Sequence, residues 1–156
     1  CDVISLGGTL LLDIGPMANG VIPEPQVETL ESLGRWIAAH SEAVYATGAG
    51  LPHGHYHGPT TLSLDRKTLY LFVFGDGGGE LNLKGMIPTP TRATALHSGE
   101  ELPCRRLGGA DWMAVPGALW IELPPNGLRP DVSVVKLEFE QPIELYRGHG
   151  QGIAQN

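Results

Sequence analysis

Hydrophobic and polar positions change their period near residue 45. Before that point, Thr9 to Ile14 form a nearly continuous apolar run between Gly7-Gly8 and Gly15-Pro16. This is the texture of a strand buried on both faces, as in parallel sheets. Residues 22–41, "IPEPQVETLESLGRWIAAHS", then predict a helix, with prolines at the start where a missing N–H costs nothing. Val27, Leu30, Leu33, Trp36 and Ile37 recur at helical spacing, and Glu24, Glu28 and Glu31 crowd toward the N-terminal end, where the helix dipole favours them. The opening "CDVISLGG" reads as the last turn of a helix with a glycine stop. Helix end, strand and helix together make one β/α unit with nothing here to pair with. The expectation is that the chain is a piece of something longer.

After "SEAVYATGAG" the period becomes two. "TTLSL", a "DRK" turn and "TLYLFVF" predict a hairpin, "GDGGG" a turn, and "ELNLKG", "TRATAL", "LPCRRL", "DWMAV", "ALWIELP" and "DVSVVKLEFE" further short strands. Short strands at such regular intervals point to an antiparallel sandwich or barrel. In the last of them Val135, Leu137 and Phe139 point inward, with Lys136, Glu138 and Glu140 outward. In "ALWIELP", Leu119, Ile121 and Leu123 share the core face and Trp120 lies on the other beside Glu122. "TLYLFVF" is apolar on both faces, so it is expected to be a central strand whose outer face is docked on a neighbouring element.

Composition narrows the classes. The 156 residues are 42% hydrophobic and 17% charged, a globular balance, and 22 glycines with 13 prolines fit many turns. A net charge of −7 argues against nucleic-acid binding, which needs cations against a row of phosphates. No apolar run reaches the length of a transmembrane helix. Two cysteines, Cys1 and Cys104, allow at most one bridge and no disulfide framework.

Three constellations carry candidate chemistry. Asp13 lies near the C-terminal end of the expected strand; were that strand part of a β/α barrel, this is the end where active sites are built, and Asp13 reads as a hydrogen-bonding residue at the barrel mouth. Trp112 and Trp120 offer stacking faces for a sugar, or else fill an interface. His53, His55 and His57 occupy alternate positions in "LPHGHYHGP", and an extended chain would place them on one face as possible zinc ligands. Their Cα atoms would stand about 6.5 Å apart, so convergence on one ion requires a bend at Gly54 or Gly58. The alternative is a linker or interface role.

The segment "GGTLLLDIGPMANGVIPEPQVETLESLGRWIAAHSEAVYAT" resembles the end of the catalytic barrel in family 29 glycoside hydrolases, the α-L-fucosidases. "HGPTTLSLDRKTLYLFVF" resembles the opening hairpin of their C-terminal β-sandwich. The likeness has specific motifs over residues 7–84 and rests on strand pattern from 85 to 156; Asp13 stands where that family usually has Asn. The resemblance implies a mainly β chain, with the terminal β/α unit of a barrel at 1–48 and an antiparallel β-sandwich at 49–156. It also implies a retaining hydrolase that removes terminal α-L-fucose with a nucleophilic Asp and a general acid/base Glu, about 5 Å apart. Both carboxylates, and the residues that grip fucose, fall upstream of the matched segment, so no catalytic residue can be assigned in this chain. The expected partners are a fucosylated glycan and an upstream barrel, or a separate barrel-bearing chain; no cofactor or metal is implied, and an exported location suits such an enzyme. A free-standing carbohydrate-binding or protein-interaction module is the alternative.

Overall fold

The structure is a computed structural model and describes residues 1–75, 79–124, 128 and 132–147. A helical turn, α1 (Asp2–Ser5), ends in a glycine stop, where Gly7 takes φ +76°. The long helix α2 (Glu24–Ala39) follows with proline at its start, then a further helical turn α3 (Ser41–Val44). Among the described residues nine strands come next: β1 (Thr47–Ala49), β2 (Thr60–Ser63), β3 (Thr68–Val73), β4 (Glu80–Leu83), β5 (Arg92–Ala95), β6 (Glu100–Glu101), β7 (Cys104–Ala110), β8 (Val115–Glu122) and β9 (Ser133–Glu138).

They form two sheets, one ordered β1-β2-β3-β9-β5-β6 and one ordered β4-β8-β7, and all of these strands pair antiparallel. The inner faces meet in a shared hydrophobic core. Leu69, Leu71, Val135 and Leu137 come from the larger sheet and Leu83, Leu119 and Ile121 from the smaller, all at 0% exposure. The alternation read from "ALWIELP" and "DVSVVKLEFE" holds for Leu119, Ile121, Leu123, Val135, Leu137 and Phe139.

The strand apolar on both faces is central, as expected. β3 pairs with β2 on one side and β9 on the other, with Leu71 opposite Val135 and Phe72 opposite Val134. Tyr70, Phe72 and Val134 form the outer face, and it is the N-terminal segment that covers them: Ala43 is buried there, and Ile4, Trp36 and Cys1 pack alongside. Polar bonds lock this contact. Trp36 Nε1 donates to Val132 O at 2.6 Å and Thr61 Oγ1 to Ala43 O at 2.7 Å, while Lys136 Nζ lies 3.1 Å from Glu42 Oε2. Cys1 packs in this outer cluster and Cys104 against the inter-sheet core; both are free.

Two sequence expectations are corrected. Thr9–Ile14 form no strand, and every residue from 6 to 21 is exposed. A strand exists only by pairing, and among the described residues nothing lies beside this segment to accept its hydrogen bonds. "DWMAV" is not a strand of its own either, and only Val115 enters one, as the first residue of β8. Asp111–Met113 make a 3-10 turn and Ala114 takes a left-handed φ of 52°, reversing the chain so that β7 and β8 pair as a hairpin. The "GDGGG" turn and the first residue of "DVSVVKLEFE" lie partly outside the described residues.

Candidate functional site

The histidine stretch does not run extended. Residues 53–58 form turns and bends that use φ +93° at Gly54, so alternate positions do not share one face. His53 and His57 are exposed. His55 is half-buried against the end of β4: its Nδ1–H donates to Lys84 O at 2.8 Å, and Lys84 N–H donates to His55 O at the same distance. Tyr56 turns inward, its hydroxyl donating to Phe72 O at 3.2 Å, and burial pushes its pKa up to about 12. The loop borders an open cleft of about 1310 Å³ between the sheet edges, shared with Asp2, Phe74, Glu80 and Asn82. Among the described residues no three His, Cys, Asp or Glu side chains converge as a metal-ligand set.

Asp13 is exposed, in the segment that lacks a sheet. The turn after it is tied to α2 through Gln26, whose Oε1 accepts from Gly15 N–H at 3.0 Å. The two tryptophans occupy different settings. Trp112 stands at the tip of the β7–β8 hairpin with 85% of its surface exposed, next to Met113 at 51%. Trp120 is half-buried on the outer face of the three-stranded sheet, where the register sets Asn82 of β4 on one side and Arg105 of β7 on the other.

Arg105 contacts both Glu80 and Glu122, which are themselves register partners. Sequence reasoning picked out Trp120 and Glu122 but passed over Asn82, Arg105 and Glu80. The signal was present in the alternation of "ELNL", whose leucines face the core and thereby turn Glu80 and Asn82 outward. The neighbouring Arg106 has a different task. Its guanidinium donates to the carbonyls of Met86, Gly117 and Pro88 at 2.8 to 2.9 Å, pinning the 86–89 loop to β8.

The sequence of residues 1–42 matches the family model described as alpha-L-fucosidase. Tissue alpha-L-fucosidase of Macaca fascicularis is 31% identical over 147 residues, covering 92% of this chain and 29% of the relative. The Homo sapiens tissue enzyme is 30% identical over the same share. This chain belongs to the α-L-fucosidase family. Alpha-L-fucosidase isoenzyme 1 from Paenibacillus thiaminolyticus superposes with a TM-score of 0.73 at 27% identity, covering 89% of this chain and 32% of that one. The likeness thus runs through the sandwich as well as the β/α segment, and the chain corresponds to the C-terminal portion of these fucosidases. It spans under a third of the length of the curated relatives, 29% for both tissue enzymes. Among the described residues no helix is long and apolar enough to cross a membrane.

Proposed function

We propose that this chain is the non-catalytic C-terminal portion of a retaining α-L-fucosidase that removes terminal α-L-fucose from glycans, and that its sandwich braces the barrel. The observation that carries this reading is the asymmetry of the N-terminal segment. Its C-terminal end is fastened to the outer face of the six-stranded sheet through Trp36, Ala43 and Glu42. Its N-terminal part leaves Leu10, Leu11, Leu12 and Ile14 exposed, an apolar run that a neighbouring barrel strand would cover. We place the division between the two parts at 48/49, inside β1, a strand that pairs with β2 of the sandwich. The barrel comes from upstream in the same protein or from a separate chain.

The carboxylates that do come together here support a non-catalytic role. Retaining hydrolysis needs one carboxylate free to attack and another carrying a proton for the leaving oxygen. Glu80 and Glu122 are instead both held by the one guanidinium of Arg105, so neither is free to attack a sugar carbon. The test is turnover of an aryl α-L-fucoside by the purified chain, expected to be nil. Addition of a barrel-bearing polypeptide truncated before residue 7 is expected to give a stable complex. Turnover by the chain alone would overturn the reading.

A further inference from the structure

The sandwich has two outer faces of opposite character. The outer face of the six-stranded sheet carries the apolar patch of Tyr70, Phe72 and Val134, covered by the N-terminal segment. The outer face of the three-stranded sheet carries polar and charged side chains, and at its β4 edge Glu80 and Asn82 border the open cleft. Trp120 sits at its centre, on the middle strand β8, between Asn82 and Arg105. Glu80 and Glu122 face each other two residues along the strands, a like-charge pair that would destabilise the sheet by itself. Arg105 lies between them and bonds to both, so the three charges form a fixed cluster beside the indole. The amide of Asn82 is tethered from below, with Nδ2 donating to Leu119 O at 3.4 Å.

We propose that this face is a docking platform for a neutral oligosaccharide. The indole of Trp120 lies under the apolar C–H face of one sugar ring, and Asn82, Arg105, Glu80 and Glu122 meet the hydroxyl groups around its rim. The chemistry selects this occupant over others. A polyhydroxylated ring has one flat apolar face and a rim of groups that both donate and accept. The platform offers one aromatic surface, donors on Asn82 and Arg105, and carboxylate acceptors on Glu80 and Glu122. A protein partner would have to strip water from three charges, whereas interface centres are depleted in charge. A polyanion would meet two carboxylates against one guanidinium. The platform does not depend on the catalytic reading, since a sandwich with no enzyme attached would present the same groups.

The test is an NMR titration of the 156-residue chain with 2′-fucosyllactose, and separately with lactose, following the indole N–H signals. Saturable shifts centred on Trp120 are expected with at least one of the two sugars. Trp120→Ala is expected to weaken binding roughly tenfold, the loss of one stacking contact. Trp120→Phe, which keeps a flat ring, should retain most of the affinity, and Trp112→Ala should leave it unchanged. If Trp120→Ala does not fold, Asn82→Ala supplies the loss variant, with a severalfold weakening expected. Absence of saturable shifts from both sugars up to roughly 20 mM overturns the proposal. So does undiminished binding by the loss variant. Failure here leaves the fucosidase reading untouched, because the barrel-complex experiment tests that separately.

Discussion

"TLLLDI" at residues 9–14 and "TLYLFV" at 68–73 are nearly the same sentence written twice, a threonine followed by almost unbroken apolar residues. Their fates are opposite. In the first, Leu10 is 60% and Leu11 84% exposed, without a strand partner. In the second, Leu69, Leu71 and Phe72 have no exposed surface, and the strand lies third in a sheet of six. An apolar run on both faces is a demand for partners on both faces, and it does not reveal whether the same chain supplies them. For residues 68–73 it does: β2 and β9 at the sides, the smaller sheet beneath and the α2–α3 segment above. The comparison can be broken or sharpened by substitutions that act on one run and spare the other.

The largest effect is expected at Phe72. It is the bulkiest fully buried side chain and joins the sheet to Trp36, with ring centroids 6.2 Å apart. Phe72→Ala should destabilise the chain by about 3–5 kcal/mol in urea unfolding, since a cavity opens under the N-terminal segment. A loss below about 1 kcal/mol would mean that the outer face is not covered in solution. Next comes Gly50, where β1 leads into the histidine loop. A Cβ there would stand 2.0 Å from Thr60 O, a backbone atom that cannot move without shifting β2. Gly50→Ala should cost about 1–3 kcal/mol by the same measurement. Trp36→Phe tests the latch more gently. It keeps much of the ring but deletes the N–H bonded to Val132 O, for an expected loss of about 1 kcal/mol.

How far the chain's alphabet foretold this arrangement differs between the same two regions. In the sandwich, period-two alternation gave the inward residues of β8 and β9 correctly, because burial on one face is a local property of a strand. The pairing of β3 with β9 joins residues sixty to seventy positions apart and leaves no local trace. The helix α2 was legible from its spacing and prolines, whereas β1 and β6, of three and two residues, are too short to show a period. Among candidate residues, Trp120 was legible as an outward aromatic, but its neighbours became visible only with the register. The histidines were legible as a pattern whose meaning depended on extended backbone, and the glycines between them removed that backbone.

The hairpin turn that leads into β3 gives a smaller effect, with a pH signature. Ser63 Oγ lies 2.6 Å from Asp65 Oδ1, and Lys67 N–H donates to the same oxygen at 3.0 Å. These bonds, Ser63's foremost, hold the Asp65 carboxyl below the usual carboxylate range. A folded-state pKa below the unfolded one contributes stability above the unfolded value, about pH 4, and that contribution is lost as pH falls through the lower folded value. Ser63→Ala should therefore raise the Asp65 pKa toward its ordinary value, read by NMR titration of the side-chain carboxyl. The turn after "TLLLDI", held by Gln26, has no ionisable counterpart of this kind among its hydrogen bonds. An unmoved Asp65 titration in Ser63→Ala would show that the turn is held by its backbone alone.

The smallest effect is the most telling for the comparison. Leu11 is among the most exposed large hydrophobic residues, at 84%, so Leu11→Ala in this chain should change stability by less than about 0.5 kcal/mol. The substitution removes apolar surface that water already covers, so neither a cavity nor a lost contact follows. In the proposed complex with a barrel-bearing polypeptide, the same residue would lie in a strand covered on both faces. There Leu11→Ala should weaken association by about 2–5 kcal/mol, the range for emptying a buried leucine site. One substitution measured in two settings separates the exposed run from the buried one without altering the sandwich. Equal, small effects in both settings would mean that residues 9–14 do not enter a sheet even when a barrel is offered. A large effect confined to the complex would show that "TLLLDI" and "TLYLFV" differ only in whether a partner is present.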